Sequence, residues 1–245
     1  MKKSTLLYSF LLLAVFTSCQ KERVSQSEPE KPPVEKPPVI AAVHDSVSYT
    51  VDGKVYTAST YSNYGSGNEQ VNQKVIFPDS KNRSNYELIG NPDSVLYFQR
   101  NTVSSIGASL QILFLKKYAK RQKDDGIIYF PAIKDLLTQF TIGKYPYAED
   151  FERENSENGI ALVISANGRS YASYSPFDLS RPTQLKPGFQ KNSTFEIISF
   201  TRATSGGYNL EAKFSAVVVD GFTEEQKKLE NGYLRLYFSP FVAAE

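Results

Sequence analysis

The sequence predicts an all-β chain, an antiparallel β-sandwich or a barrel-like variant of one, with one short helix. Three observations predict it. The chain has 16 Tyr and 16 Phe but no Trp among 245 residues, and aromatic side chains suit a pleated, half-buried surface. Three pairs of strand-like runs are each joined by a few turn-forming residues, as in local hairpins. Only one stretch has the spacing of an amphipathic helix.

The first 18 residues stand outside this fold. Lys2 and Lys3 precede an apolar run over residues 6–16, broken only by Ser9, and Thr17, Ser18 and Cys19 follow. This is the order of a secretory signal. The run is shorter than the ~20 apolar residues that a membrane-spanning helix needs. Cys19 is the only cysteine. Its place after small residues resembles the bacterial lipobox, in which the thiol takes a diacylglycerol and becomes the new N-terminus. Phe16 departs from that pattern, which most often has Leu there. Two or more acyl chains give stable membrane residence. An exported domain with no other thiol also avoids stray disulfides. The partner implied is a lipid bilayer, and the location is the bacterial outer membrane, facing periplasm or cell surface.

Residues 19–42 hold the Cys and a linker rich in Glu, Lys, Pro and Ser, with the near repeat EKPPVEKPPV at residues 30–39. Proline fixes φ and donates no backbone hydrogen bond. Paired prolines favour an extended polyproline II spacer of about 3.1 Å per residue. Residues 43–245 are then a single domain, a length that suits one core. Lys2 and Lys3 account for the whole excess of 28 basic over 26 acidic residues. The chain beyond the signal is formally neutral, which argues against nucleic acid as a partner.

The elements follow in order. Residues 47–59 (VSYTVDGKVYTAS) read as a hairpin around Asp52-Gly53, a pair suited to a type I′ turn. Residues 64–73 read as a polar loop rich in Gly and Asn. Residues 86–89 and 95–98 are short strands on either side of Asn91-Pro92-Asp93. Residues 106–118 make the best strand. Ile106, Ala108, Leu110, Ile112 and Phe114 share one face, while Leu113 and Leu115 make the other face apolar, so a central position is expected. A charged connection leads to the helix at residues 131–140. Residues 160–174 form a hairpin around Asn167-Gly168, and residues 195–202 and 208–219 form a third. Residues 222–232 are polar with helical character, and 233–238 (YLRLYF) close the fold as a strand.

Two parts resemble a broad group of uncharacterised secreted lipoproteins of the Bacteroidota. One is TVDGKVYTA at residues 50–58. The other is LEAKFSAVVVD at 210–220 with ENGYLRLYF at 230–238. With the signal and linker, the resemblance covers under half of the chain. It implies an envelope-anchored β-sandwich and carries no common catalytic residues.

The chemistry-bearing residues are sparse. His44, the only histidine, sits at the linker edge, so a histidine-based triad or multi-histidine metal site is excluded by count. Gly65-Ser66-Gly67 has neither the spacing nor the following helix of a phosphate loop. Residues 147–158 (YAEDFERENSEN) gather Glu149, Asp150, Glu152, Glu154 and Glu157 around Arg153. A solvated acidic loop is the plain reading. Glu149, Asp150, Glu152 and Glu154 are the candidate ligands if the loop holds Ca²⁺, and the cluster supplies an acid and a base if the chain hydrolyses glycosides. Tyr61, Tyr64, Tyr145, Tyr147 and Tyr174 are candidate stacking residues for a sugar platform, against the plain reading of core or cross-strand tyrosines. Ser46 and Ser94, each in Asp-Ser-Val, resemble the O-glycosylation acceptor of exported proteins in the same bacteria. The expectation is a non-enzymatic envelope lipoprotein that binds a ligand, glycan or envelope partner and needs no cofactor. The alternatives are a carboxylate-based glycoside hydrolase and a pilus or surface subunit.

Overall fold

The computed structural model describes residues 39–40, 42–79, 84–120 and 129–238. All belong to one unit, Pro37–Glu245. The strands are β1 (Val39–Ile40), β2 (Ser46–Val51), β3 (Lys54–Ala58), β4 (Tyr61–Gln70), β5 (Lys74–Ile76), β6 (Glu87–Ile89), β7 (Ser94–Ser105) and β8 (Ala108–Ala119). Helix α1 (Ile133–Leu137) follows, then β9 (Gly143–Tyr145), β10 (Gly159–Ala166), β11 (Arg169–Ala172), β12 (Thr194–Ala203), β13 (Tyr208–Asp220) and β14 (Gln226–Phe238). Among the described residues no helix is long and apolar enough to cross a membrane.

The expected antiparallel all-β class holds, in its barrel-like form. One large sheet runs β3-β2-β14-β13-β11-β10-β8-β7-β4, and β12 pairs with β13, β9 and β1 beside it. β5 and β6 form a separate two-stranded ribbon. β3 and β4 stand at opposite ends of the long path, yet only Ser59 and Thr60 join them. The sheet must therefore curl until its two ends approach, and it forms a half-barrel. Hydrogen bonds hold that closure. The Ser59 and Thr60 N–H groups both donate to Ser105 Oγ, at 2.9 and 3.2 Å, and Tyr56 OH donates to Asn167 Oδ1 at 2.7 Å.

The curl encloses the main core, in which Tyr49, Leu110, Ile112, Phe114, Leu162, Phe195 and Leu234 are fully buried. Each such side chain contributes roughly 1.5–3 kcal/mol by leaving water. A second apolar layer lies on the other side of the sheet, where Leu113, Leu115 and Ala161 pack with Phe151, Tyr174 and Val71. β8, paired with β7 and β10, is thus covered on both faces, as its double apolar pattern predicts.

The expected turns at Asp52-Gly53 (φ 51° and 75°) and Asn167-Gly168 (φ 52° and 75°) take positive φ at both positions, which a type I′ turn needs. Other expectations are corrected. Residues 64–73 are no loop, since β4 runs through most of them and pairs along its length with β7. Glycine lowers strand propensity, but Phe98 lies over Gly67, where a Cβ would stand 2.5 Å from the ring. The aromatic supplies the packing that glycine lacks. The strand expected at 95–98 extends to Ser105, its alternation hidden by buried Gln99 and Asn101. Ile106 leaves the core face for the β7–β8 turn and is wholly exposed.

Residues 226–232 belong to β14 rather than to a helix. A register shift between Glu230 and Tyr233 absorbs Asn231 (φ 52°) and Gly232, and it breaks the alternation that would have marked a strand. α1 is shorter than expected, although Leu136 and Phe140 still anchor its segment in the core. The domain also begins before residue 43. Past the last proline of the linker, Val39 and Ile40 regain free N–H groups and pair in parallel with Arg202 and Ala203.

Candidate functional clefts

The acidic stretch is not a loose loop. Its backbone joins the sheet where the Ala148 N–H donates to the Ile160 carbonyl and the Ile160 N–H to the Pro146 carbonyl, both at 2.9 Å. Phe151 then drops into the outer apolar layer. The carboxylates point to separate donors. Glu149 accepts from the N–H groups of Gly188 (2.6 Å) and Gln190 (2.8 Å). Asp150 Oδ2 accepts from Ser156 N–H at 2.6 Å. Glu152 Oε1 accepts from Tyr174 OH at 3.0 Å. Glu157 Oε2 accepts from Glu149 N–H at 2.7 Å. The Glu154 carbonyl accepts from Gln73 N–H at 2.8 Å. Among the described residues no group of three or more His, Cys, Asp or Glu side chains is arranged to hold a metal.

The stretch nevertheless lines a cleft of about 310 Å³ together with the 183–189 segment. Glu149, Asp150, Glu154 and Glu157 share it with Leu185, Lys186 and Phe189. Burial pushes the Glu157 carboxyl up, and the charges of Asp150 and Glu149 add to that, against hydrogen bonds that favour its ionised form.

A second cleft of about 210 Å³ shares Arg153 and Ser175 with the first. Its floor is the turn after β13. Asp220 Oδ1 accepts from the N–H groups of Phe222 (2.9 Å) and Thr223 (2.8 Å), and the Glu224 N–H donates to the Asp220 carbonyl at 2.9 Å. Glu224 takes φ 56°. Its carboxylate accepts from Ser175 Oγ (3.2 Å), Thr183 Oγ1 (2.7 Å) and Gln184 N–H (2.8 Å). Arg153 Nε donates to the Ser175 carbonyl at 3.0 Å, and its Nη2 donates to that of Pro176 at 2.9 Å. Arg181 pairs with Asp178 at 2.9 Å and lies 4.5 Å from the Phe222 ring centre, while Phe222 itself is 75% exposed. Hydrogen bonds from Ser180 and Arg181 hold the Asp178 carboxyl down at about 2.

The candidate tyrosines separate. Tyr61 and Tyr64 are exposed on β4, but three residues apart they point to opposite faces of the strand. Tyr145 OH donates to the Thr141 carbonyl at 2.7 Å. Tyr147 and Tyr174 are buried and cannot stack on a surface ligand. Tyr147 OH donates to the Ser215 carbonyl at 3.1 Å, and burial pushes both phenols well above their ordinary range. The five form no common platform, because alternation sends the tyrosines of strand ends inward as readily as outward. Ser46 and Ser94 are half-buried at the starts of β2 and β7. His44 Nδ1 lies 2.9 Å from the Asp45 carbonyl oxygen at the surface. Cys19 lies outside the described residues.

The Phe222 cleft went unnoticed in the sequence. Its parts are separated by as many as 71 positions, from Arg153 to Glu224, and Asp220-Gly221 after an apolar run was the only local sign of a rigid turn. Comparisons with family models, with curated proteins and with solved structures find no match to this chain.

Proposed function

We propose that this protein is a lipid-anchored lipoprotein of a bacterial outer membrane, of the Bacteroidota type, whose curled β domain binds a ligand without transforming it. Cys19 carries the lipid, residues 20–38 form the spacer, and the two adjoining clefts beside Arg153 receive the ligand. The observation that carries the reading is the position of the only cysteine, behind Thr17 and Ser18 at the end of a signal-like apolar run and ahead of a proline-rich spacer. The clefts support the binding half of the reading. Both are shaped by residues already fixed by hydrogen bonds, so a ligand meets groups that lose little freedom on binding. The test is metabolic labelling with an alkyne-bearing fatty acid in a bacterial host that processes lipoproteins. The wild-type chain takes up label and Cys19→Ala does not; an unlabelled wild-type chain contradicts the reading.

A second reading, glycoside hydrolysis, draws on one observation, the raised carboxyl of Glu157 beside Asp150 and Glu149. A carboxyl held above its ordinary range is the kind of group a general acid needs, and Glu157 lines the larger cleft with Glu149 and Asp150. Glycosidase activity lost in Glu157→Gln supports it, and absence of any such activity in the wild-type chain removes it.

A further inference from the structure

We infer that the smaller cleft is a subsite for one ring of an uncharged saccharide, with the face of Phe222 as its stacking surface. The inference rests on the ligand-binding reading above and names the class of ligand.

The first observation is an exposed aromatic side chain on a rigid support. Phe222 is 75% exposed and lines the cleft. The turn that puts it there is fixed by two hydrogen bonds to Asp220 Oδ1 and closed by Glu224 at φ 56°. A left-handed Glu is a strained choice that surrounding bonds must hold in place. Here three hydrogen bonds to its carboxylate do so. The turn keeps the ring outward instead of letting it fold down.

The second observation is charge balance. Arg153, Arg181, Asp178 and Glu224 all line the cleft, two positive and two negative. Arg181 is paired with Asp178; against burial, hydrogen bonds from Thr183, Gln184 and Ser175 hold the Glu224 carboxyl below its ordinary range, and the Arg153 charge adds to them. No net charge is left to select an ion. The Arg181 guanidinium lies over one face of the Phe222 ring, 4.5 Å from its centre; with the side chain still 75% exposed, the other face is the stacking surface, and Pro176 and Pro182 add apolar lining. A pyranose ring suits such a surface, with hydroxyls around its rim and C–H groups on its faces.

The third observation is size. About 210 Å³ lies below the ~300–1,000 Å³ of sites for drug-sized ligands, so the cleft takes one ring. The adjoining cleft beyond Arg153 and Ser175 leaves room for the chain to continue.

The test is saturation-transfer NMR on the full chain in a detergent without a sugar head group. The probes are maltose, cellobiose, mannobiose and N,N′-diacetylchitobiose, with putrescine and citrate as charged comparisons. At least one disaccharide is expected to receive saturation. Phe222→Ala and Arg181→Ala are expected to weaken it at least tenfold with unchanged thermal melting. Ile142→Ala, which removes another exposed apolar side chain, leaves binding intact. Failure of all four disaccharides overturns the saccharide class. If putrescine or citrate then binds and Phe222→Ala abolishes it, the ligand-binding reading survives with another ligand; if nothing binds, that reading falls too. Disaccharide binding that resists Phe222→Ala but is lost in Phe189→Ala places the ligand in the larger cleft and overturns this assignment alone.

Discussion

Tyr49 OH lies 2.7 Å from the carbonyl oxygen of Ser165 and 2.9 Å from that of Ser109. One phenol on β2 therefore ties the ends of β8 and β10, which lie across the half-barrel from it in the order of the sheet. Burial pushes the phenol up to about 12, so it remains a donor at any physiological pH. Tyr49→Phe keeps the ring and removes the donor, leaving part-buried carbonyl oxygens without that proton. The expected loss is about 1–2 kcal/mol, seen as a lower denaturation midpoint with an unchanged slope. An unchanged midpoint would show that the curl does not depend on this latch.

Gln99 sits fully buried on β7, and among the described residues neither its Oε1 nor its Nε2 has a hydrogen-bond partner. A buried amide without partners costs on the order of 1–3 kcal/mol. Gln99→Met conserves the shape and removes both polar atoms. It is expected to raise the denaturation midpoint, by about 1 kcal/mol of stability. A loss of stability would mean that the amide is satisfied in solution.

Burial pushes the Glu69 carboxyl up, and the nearby Glu152 charge adds to the effect. A raised folded value means that the folded state holds the proton more tightly than the unfolded chain. The penalty is absent in acid, appears as pH rises through the ordinary carboxyl range, and is complete above the raised folded value. Glu69→Gln is therefore expected to melt higher than the wild-type chain at pH 7, by about 1–3 °C, and level with it near pH 3. Equal melting at both pH values would contradict this.

Ile106 tests the corrected register. It is fully exposed at the β7–β8 turn, whereas the sequence pattern placed it in the core. Ile106→Ser is expected to change stability by less than about 0.5 kcal/mol. A loss of 2 kcal/mol or more, as for a core position, would restore the sequence-based assignment. Chemical denaturation of the two chains side by side decides it.

These cases show how far the sequence could be read. Where side-chain alternation and turn residues coincide, as at Asp52-Gly53 and along Leu110, Ile112 and Phe114, local chemistry alone specifies the element. Most of β4 and the start of β14 lack that signal, as do the short strands β1, β5 and β9. β4 is Gly- and Asn-rich and depends on pairing with β7, and Phe98 fills the space above Gly67. β14 hides its period behind the shift at Asn231 and Gly232. The clefts were legible only in part. The acidic stretch announced itself as a cluster, but its use of carboxylates to hold its own backbone is a long-range fact, set by Gly188 and Gln190. The Phe222 cleft is assembled from three separated segments and has no local signature.

Cys19 is proposed to anchor a ligand-binding domain in the outer membrane. Density-gradient separation of cell membranes tests it most directly, comparing the wild-type chain with Cys19→Ala by immunoblot. Wild-type protein is expected in the outer-membrane fraction and Cys19→Ala protein out of that fraction. Wild-type protein found only in the soluble fraction, or Cys19→Ala protein still in the outer membrane, would contradict it.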